Sequence, residues 1–248
     1  MFALLCLPVD RGAHALRTDL ARYALLERAS RTSRRLGVEL LAFGLADDEV
    51  QLLLCGDRDA VGLAMRGVKG GTVRAAQSQG VDLRWGPSAL TAISEEQLEQ
   101  AVATVHSVGA SAPLATPWTS HRDLLGLRRA SFFDAAPLRR RVRAHCVHAR
   151  LGGGELPSPS PSTSPPPEHP PLPMLLRVAA SCLGVLPADR RCFGLFAQLA
   201  SACGWLPTPI AAALALTPRR VRQLKHQPEP ALPLALSYLS DARLQVTS

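Results

Sequence analysis

The Pro- and Ser-rich stretch ELPSPSPSTSPPPEHPPLP, residues 155 to 173, is the feature that most constrains this chain. Repeated proline removes backbone donors and fixes the backbone, which excludes a helix or a central strand and favours a semi-rigid extended linker. The chain is 248 residues long, enough for two domains of ordinary size. The sequence therefore predicts a first domain over residues 1–150, a linker over 151–172 and a second domain over 173–248.

Upstream of the linker, apolar periodicities follow one another in the order β-α-β-β-α-β-α. The predicted elements are a strand at 2–9, a helix at 13–36, a hairpin with arms at 38–45 and 49–55, a helix at 57–67, a strand region at 81–93, and a helix that Ser94 caps with Gln97. This order predicts an α+β fold, a ferredoxin-like antiparallel sheet with helices on one face. Such a sheet would keep its other face free for a ligand.

The hairpin GVELLAFGLADDEVQLLLCGD, residues 37 to 57, carries a polar pair on its second arm. Alternation places Glu49, Gln51 and Leu53 on one side of the strand, and Val50, Leu52 and Leu54 on the other. The apolar side is suited to a core. The other side brings a carboxylate and an amide next to each other above the sheet.

Downstream of the linker, five segments opened or ended by Pro or Gly predict a small all-α domain, at 173–186, 187–203, 207–216, 217–226 and 231–244. Residues 208–226, TPIAAALALTPRRVRQLKH, resemble a helix-turn-helix, with a tight turn near Leu216. Thr217 is the predicted N-cap of the second helix, and Pro218 its first residue. Val221 and Leu224 are spaced to face the core.

The rest of that second helix is cationic, and its surface residues are Arg219, Arg220, Arg222, Gln223 and Lys225. Four cations without an acid suit a phosphate backbone, and Arg or Gln can contact base edges in the major groove. A solvated basic helix in a bundle is the alternative interpretation.

The amino-acid composition indicates which kind of partner and which cellular compartment to expect. The chain has 28 Lys and Arg against 20 Asp and Glu, a formal net charge of +8, which favours an anionic partner, nucleic acid before a membrane surface. Six cysteines lack any C-x-x-C pair, so reduced thiols are expected rather than zinc ligands or disulfides. No apolar run reaches the roughly 18 residues of a membrane span, and the N-terminus reads as a strand rather than a signal peptide. A cytoplasmic protein without a membrane partner is expected.

Three stretches together resemble the REP-associated tyrosine transposases, the single-tyrosine HUH class. The hairpin at 37–57 resembles the segment in which that family carries Asn-His-x-His followed by three aliphatic residues. TPWTSHRDLLGLRRASFFD, residues 116 to 134, resembles its Trp-Ser-Ser-His block, and AVATVHSVGASAPLATP, residues 101 to 117, stands where the family has its Tyr-Ile-His-x-Asn-Pro helix. The downstream helices separately resemble the DNA-binding domain of the chromosomal replication initiator.

The resemblance implies what chemistry to look for. In the family, two His on a strand hold a divalent cation and a Tyr attacks the scissile phosphate. Here Glu49 and Gln51 stand at the His positions and Thr104 at the Tyr position, with His106 retained nearby. Glu is a possible ligand for a hard cation and Gln a weak one, while Thr lacks a phenolate. The three departures together predict that catalysis is lost.

The remaining tyrosines and histidines do not stand where they could replace the missing groups. Tyr23 is expected in the core of the first helix, and Tyr238 lies in the last helix, so neither is in the place of the nucleophile. His145 and His148 have a helical spacing and are expected on a solvated face, and His121 is expected to have a structural role.

The segment 128–150 is rich in arginine and contains a single acid, Asp134. We expect Arg139, Arg140, Arg141 and Arg143 to follow phosphates at the domain edge in a salt-dependent, sequence-independent way. A solvated helix is the alternative.

These observations predict a catalytically inactive, transposase-related protein that binds DNA, which the resemblance implies to be a hairpin or repeat element. No metal site or cofactor is expected; Mg²⁺ or Mn²⁺ would be needed only if the site at Glu49 were active. Two other functions stay open, a metal-dependent single-strand nuclease or transposase with a non-standard site, and a protein-interaction module without a nucleic-acid role. Family members often act as dimers, so a homodimer is an option that the resemblance implies.

Overall fold

The computed structural model describes the chain except for residues 78–79, 113, 115, 117, 128–132, 155–169, 184 and 241–248. The described chain forms two compact units, the first mainly from residues before 155 and the second mainly from residues after 169. Within the described residues, no helix combines the length and the apolar character needed to cross a membrane. Most of the predicted linker lies outside the described residues, and its boundaries stay a prediction.

The N-terminal unit is built around one antiparallel sheet. Its strands are β1 (Phe2–Arg11), β2 (Glu39–Leu45), β3 (Glu49–Cys55), β4 (Arg84–Trp85) and β5 (Ala89–Ile93). The central strand β1 pairs with β3 from Phe2 opposite Cys55 to Pro8 opposite Glu49. On its other side β1 pairs with β5 and, beyond a bulge, with β4, while β2 pairs with the outer edge of β3. The strand order β2-β3-β1, with both β4 and β5 paired to the other side of β1, places the hairpin arm of Glu49 inside the sheet.

The helices of this unit are α1 (Asp19–Arg35), α2 (Arg58–Gln77), α3 (Leu98–Ser107), α4 (His121–Leu124), α5 (Ala136–Arg139) and α6 (Ala144–Arg150). A short 3₁₀ turn over Ala13–Leu16 precedes α1, where the sequence predicted one continuous helix. Predicted cap Ser94 lies one turn before α3, which begins at Leu98, and its backbone N–H donates to Gln97 Oε1 at 3.2 Å.

Helix α2 extends ten residues beyond its predicted end at Gly67, because its glycines allow close packing instead of ending the helix. A Cβ at Gly67 would lie 2.9 Å from a methyl carbon of Thr32, and one at Gly71 would lie 2.4 Å from the guanidinium of Arg28. Absent side chains therefore let α2 approach α1 closely, and the tertiary contact outweighs the low helix propensity of glycine.

The prediction that helices cover one face only, leaving the other free for a ligand, is wrong. Val50, Leu52 and Leu54 are buried on one face, as expected. On the opposite face Leu53 belongs to a buried cluster with Val102 and Val105 of α3. This face is covered because α3 is itself amphipathic and has apolar surface to bury.

The outer edge of β2 is closed by the segment around Trp118. The Leu45 N–H donates to the Trp118 carbonyl and the Ser120 N–H donates to the Phe43 carbonyl, both at 2.9 Å. Gly44 lies under α3, and a Cβ there would be 2.0 Å from the Val105 carbonyl oxygen. This arrangement brings α3, α4 and the hairpin end of the sheet together.

The C-terminal unit is helical. It contains α7 (Leu172–Leu183), a 3₁₀ turn (Arg190–Cys192), α8 (Phe193–Ala202), α9 (Pro207–Leu214), α10 (Pro218–Lys225) and α11 (Leu232–Ser240). Each of the five predicted helical segments holds one of these α-helices; the last prediction, to Leu244, extends outside the described residues. Helix α8 is the buried centre, with Leu195, Phe196 and Leu199 fully inaccessible.

Candidate nucleic-acid interface

Helix α10 has the start that the sequence predicts. Thr217 precedes it in an extended conformation, and its side-chain oxygen accepts the backbone N–H of Arg220 at 3.3 Å, so the predicted N-cap is confirmed. Pro218 is the first helical residue. The tight turn from α9 is made by Ala215 in the left-handed conformation, with φ of 52°.

The two faces of α10 are chemically distinct. Val221 and Leu224 are buried, as predicted, and hold the helix on α8 and α9. The exposed residues are Arg219, Arg220, Arg222, Gln223 and Lys225. The guanidinium of Arg220 donates to Gln223 Oε1 at 3.1 Å, which orients both side chains on the outer surface. The helix thus offers four cations and an amide without an acid.

The far end of α10 is held by a side chain from α8. The Gln198 amide donates to the Leu224 carbonyl at 3.4 Å and to the Gln227 carbonyl. The Leu224 carbonyl belongs to the last turn, where helix acceptors lack intrahelical donors, and Gln227 follows directly after the C-cap His226. Both ends of α10 are therefore fixed by side-chain hydrogen bonds.

Glu49 and Gln51 lie side by side on β3, and the Gln51 amide donates to Glu49 Oε1 at 2.9 Å. Opposite Gln51 is Cys6 of β1; burial, and then the nearby Glu49 carboxylate, raise the pKa of its thiol. Gln51 Oε1 is buried without a hydrogen-bond partner in the described structure.

This pair does not fit a divalent cation. Mg²⁺ prefers six oxygen ligands in octahedral geometry, but the pair supplies one carboxylate, and the amide turns its nitrogen toward that carboxylate. Within the described ranges, no three His, Cys, Asp or Glu side chains form a group that could hold a metal. The pair at Glu49 therefore supports no metal-dependent step.

Thr104, at the position that matches the nucleophile, lies on α3. Its hydroxyl donates to the Gln100 carbonyl of the same helix at 3.0 Å. This bond directs the hydroxyl proton to a backbone carbonyl, which is not a base that could activate the oxygen as a nucleophile.

The arginines of residues 139–143 differ from one another in their surroundings. Arg139 donates to the carbonyls of Asp123 and Leu124. Other contacts are made by Arg141, which pairs with Glu39 at 2.8 Å, and by Arg143, which pairs with Glu99 at 3.0 Å. Arg140 is exposed. Arg128 and Arg129 lie outside the described residues.

Three of these four arginines thus have acceptors within the protein. The hydrogen bond from Arg143 lowers the pKa of the Glu99 carboxyl, which marks a pair that holds α6 near α3. The predicted contact with phosphates stays a prediction for all four.

The structure shows a histidine cluster that the sequence did not predict. His106, His121 and His148 come from α3, α4 and α6, and all three are buried. The prediction of a solvated face is wrong for His148, which is 5% exposed, and holds for His145. His148 is buried because the inner face of α6 packs on α3, a tertiary contact that residue spacing does not contain.

Two smaller expectations are confirmed. Tyr23 is a core residue at 6% exposure. All six cysteines lie within the described residues and are reduced thiols.

The chain was compared with known proteins. No protein-family model matches it, and no curated protein matches it. One solved structure is similar, the crystal structure at 1.90 Å resolution of a "putative transposase" from Deinococcus radiodurans R1. The similarity has 20% sequence identity and a TM-score of 0.32, and it covers 44% of this chain and 92% of that chain.

Proposed function

We propose that this protein is a catalytically inactive, transposase-related DNA-binding protein. Its N-terminal unit would be a ferredoxin-like, HUH-type domain, and α9 with α10 a helix-turn-helix. The observation that carries the proposal is the outer surface of α10, where four cations and an amide are exposed while Val221 and Leu224 are buried on the opposite face.

The physical argument for DNA begins with charge. Each cation that neutralises a phosphate releases a condensed counterion, so four clustered cations favour a polyanion over an isolated acidic side chain. The first turn of α10 adds the positive end of the helix dipole. An eight-residue helix is about 12 Å long, a length that fits across the major groove.

The same surface can distinguish bases. Arg can bond G through two acceptors, and Gln can bond A. Arg220 and Gln223 already contact each other at 3.1 Å, so a base that engages one of them also affects the other. We assign Arg219, Arg222 and Lys225 to phosphate contacts, with Thr217 fixing the helix start, and Arg220 with Gln223 to base edges.

Loss of catalysis is the second part of the proposal. Glu49 and Gln51 are hydrogen-bonded to each other, and Thr104 is hydrogen-bonded to its own helix. The polar groups at the matching positions are therefore already engaged in structural hydrogen bonds. In the N-terminal unit, Arg140 would be the main contact with DNA, with Arg139, Arg141 and Arg143 contributing where their internal bonds exchange.

The test is binding of fluorescent duplex, hairpin and single-stranded DNA at 0.15 M salt, by anisotropy. Arg219→Glu with Arg222→Glu is expected to weaken binding at least tenfold. The matched control is Arg177→Glu with Arg190→Glu, which changes the charge equally at exposed sites outside α10 in the same unit. Because the Debye length is about 8 Å at this salt, the control should change the affinity less than threefold. Equal losses in both variants would refute a specific role for α10.

A nuclease is the second candidate, and it would require the Glu49–Gln51 pair to rearrange: Gln51 Oε1 is buried and unpaired within the described structure, so this oxygen is available to a new partner. The same binding reactions are therefore run with Mg²⁺ or Mn²⁺ and analysed for nicks and covalent adducts. A nick that disappears in Glu49→Ala would replace the binding proposal by an enzymatic one. We expect selective binding of DNA without cleavage. Weak binding without preference for sequence or structure would favour a protein-interaction module.

A further inference from the structure

Three histidines and a serine of the N-terminal unit form one continuous chain of hydrogen bonds. Ser120 Oγ lies 2.8 Å from His106 Nε2, and the Nδ1 atoms of His106 and His121 are 3.1 Å apart. At the far end, His121 Nε2 lies 2.9 Å from His148 Nδ1. We call this set the histidine chain. Its members belong to α3, α4 and α6 and to the residue before α4, so it joins three helices.

The histidine chain is attached to the sheet at one end and to the C-terminal end of α6 at the other. The Phe43 N–H of β2 donates to Ser120 Oγ at 3.0 Å. At the other end, a Cβ at Gly153 would lie 2.3 Å from His148 Nε2, so the backbone of this glycine packs directly on the ring. The Gly153 N–H donates to the His148 carbonyl at 3.0 Å.

The number of protons in the chain is restricted by its geometry. Each gap between two facing ring nitrogens has room for one proton, because two N–H groups cannot both donate across it. Three neutral imidazoles carry three protons, and these satisfy both gaps with all donors pointing in one direction or all in the other. In one direction the Ser120 hydroxyl donates to His106, and in the other it turns to the Phe43 carbonyl at 3.4 Å.

One extra proton can be accommodated and a second cannot. With one extra proton, both gaps still hold one proton each, and the outer nitrogens of His106 and His148 carry the other two. The Ser120 hydroxyl must then turn to Phe43. A fifth proton has to enter a gap that is already filled, which places two N–H groups face to face and brings two cations together in a buried site.

Other titratable and charged groups lie on the three helices that carry the histidine chain. His145, Cys146 and Arg150 are the other titratable or charged residues of α6 near His148, and Arg150 bonds to Gln100. On α4, Arg122 and Asp123 neighbour His121, and on α3 Glu99 pairs with Arg143. Burial first, and then His148, lower the pKa of His121 to about 4.

From this geometry we propose that the histidine chain is an acid-sensitive latch for the end of the N-terminal unit. It holds α6 and residues 151–154 against α3 and α4 while it carries at most one extra proton. Binding of a second proton separates His148 from His121 and releases α6 with the residues that follow it. The device is independent of the proposed DNA contact on α10.

The test is amide hydrogen exchange of the full chain at pH 7 and pH 4, corrected for intrinsic exchange rates, with α2 as the internal reference. In the wild type, protection of α6 and residues 151–154 is expected to fall more than tenfold relative to α2. His148→Asn keeps an acceptor near the position of Nδ1 but cannot titrate, so its relative loss should be under threefold. His145→Asn, on the exposed side of the same helix, should behave as the wild type.

An equal loss in His148→Asn and wild type would overturn the proposal, as would unchanged protection of wild-type α6 at pH 4. If His148→Asn does not fold, imidazole ¹⁵N NMR of the wild type decides the question. The three buried histidines should take up one proton in total while the α6 amide signals keep their positions. Uptake of two protons with α6 unchanged would refute the latch.

Discussion

Acidification should destabilise the N-terminal unit through His121. The side chain is fully buried, and the pKa falls from an ordinary value near 6.5 to about 4. At roughly 1.36 kcal/mol per pH unit, this difference corresponds to about 3 kcal/mol of unfolding free energy. Because the unfolded chain binds the proton more readily than the folded one, stability is fully present above pH 6.5 and is lost as the pH falls toward 4.

The assay is urea unfolding between pH 7.5 and 4, followed by the fluorescence of Trp118. This residue is 6% exposed in the N-terminal unit, and Trp85→Phe with Trp205→Phe leaves it as the only tryptophan. His121→Gln is expected to be less stable at pH 7 but to lose little more on acidification. A slope in His121→Gln equal to that of the parent protein would refute the reasoning.

Three further predictions follow from backbone geometry and surface charge. Gly44→Ala should lower the free energy of unfolding by more than about 2 kcal/mol or prevent folding, since its Cβ would meet an α3 carbonyl. Gly62→Ala, in open space on α2, should raise it by about 0.5–1 kcal/mol, and urea unfolding midpoints compare the two variants. Ala215→Gly should stabilise the C-terminal unit by about 1 kcal/mol by relieving a left-handed conformation, whereas Ala213→Gly, inside α9, should destabilise it by a similar amount, both measured by thermal unfolding. Arg222→Ala should lower the salt slope of DNA binding by about 0.9, and an unchanged slope would mean that this residue contacts no phosphate.

The sequence predicted those parts of the fold that depend on neighbours along the chain. The hairpin arms at 38–45 and 49–55 match β2 and β3 within one residue, because alternation over seven residues is a local property. The start of α10 is predicted correctly for the same reason, since Thr217 and the residue whose N–H donates to it, Arg220, are three residues apart. Its exposed cations follow from helical spacing once two apolar residues define the inner face.

Long-range contacts account for what the sequence did not predict. The glycines of α2 look like a helix end until α1 is seen to pack on them. His106, His121 and His148 are 15 and 27 residues apart, and only the packing of three helices brings their rings together. His121 lies near Trp118, His106 precedes it and His148 follows it, and nothing in their sequence positions indicates mutual contact.

The fixed ends of α10 bear on how quickly and how tightly it can bind. Thr217 sets the first turn and the Gln198 amide holds the last one, so the helix does not have to fold or reorient when a partner arrives. Little backbone entropy is then lost on association, and the contact energy of the arginines goes into affinity rather than into ordering the helix. Electrostatic attraction over the last few ångströms, instead of a folding step, would set the association rate.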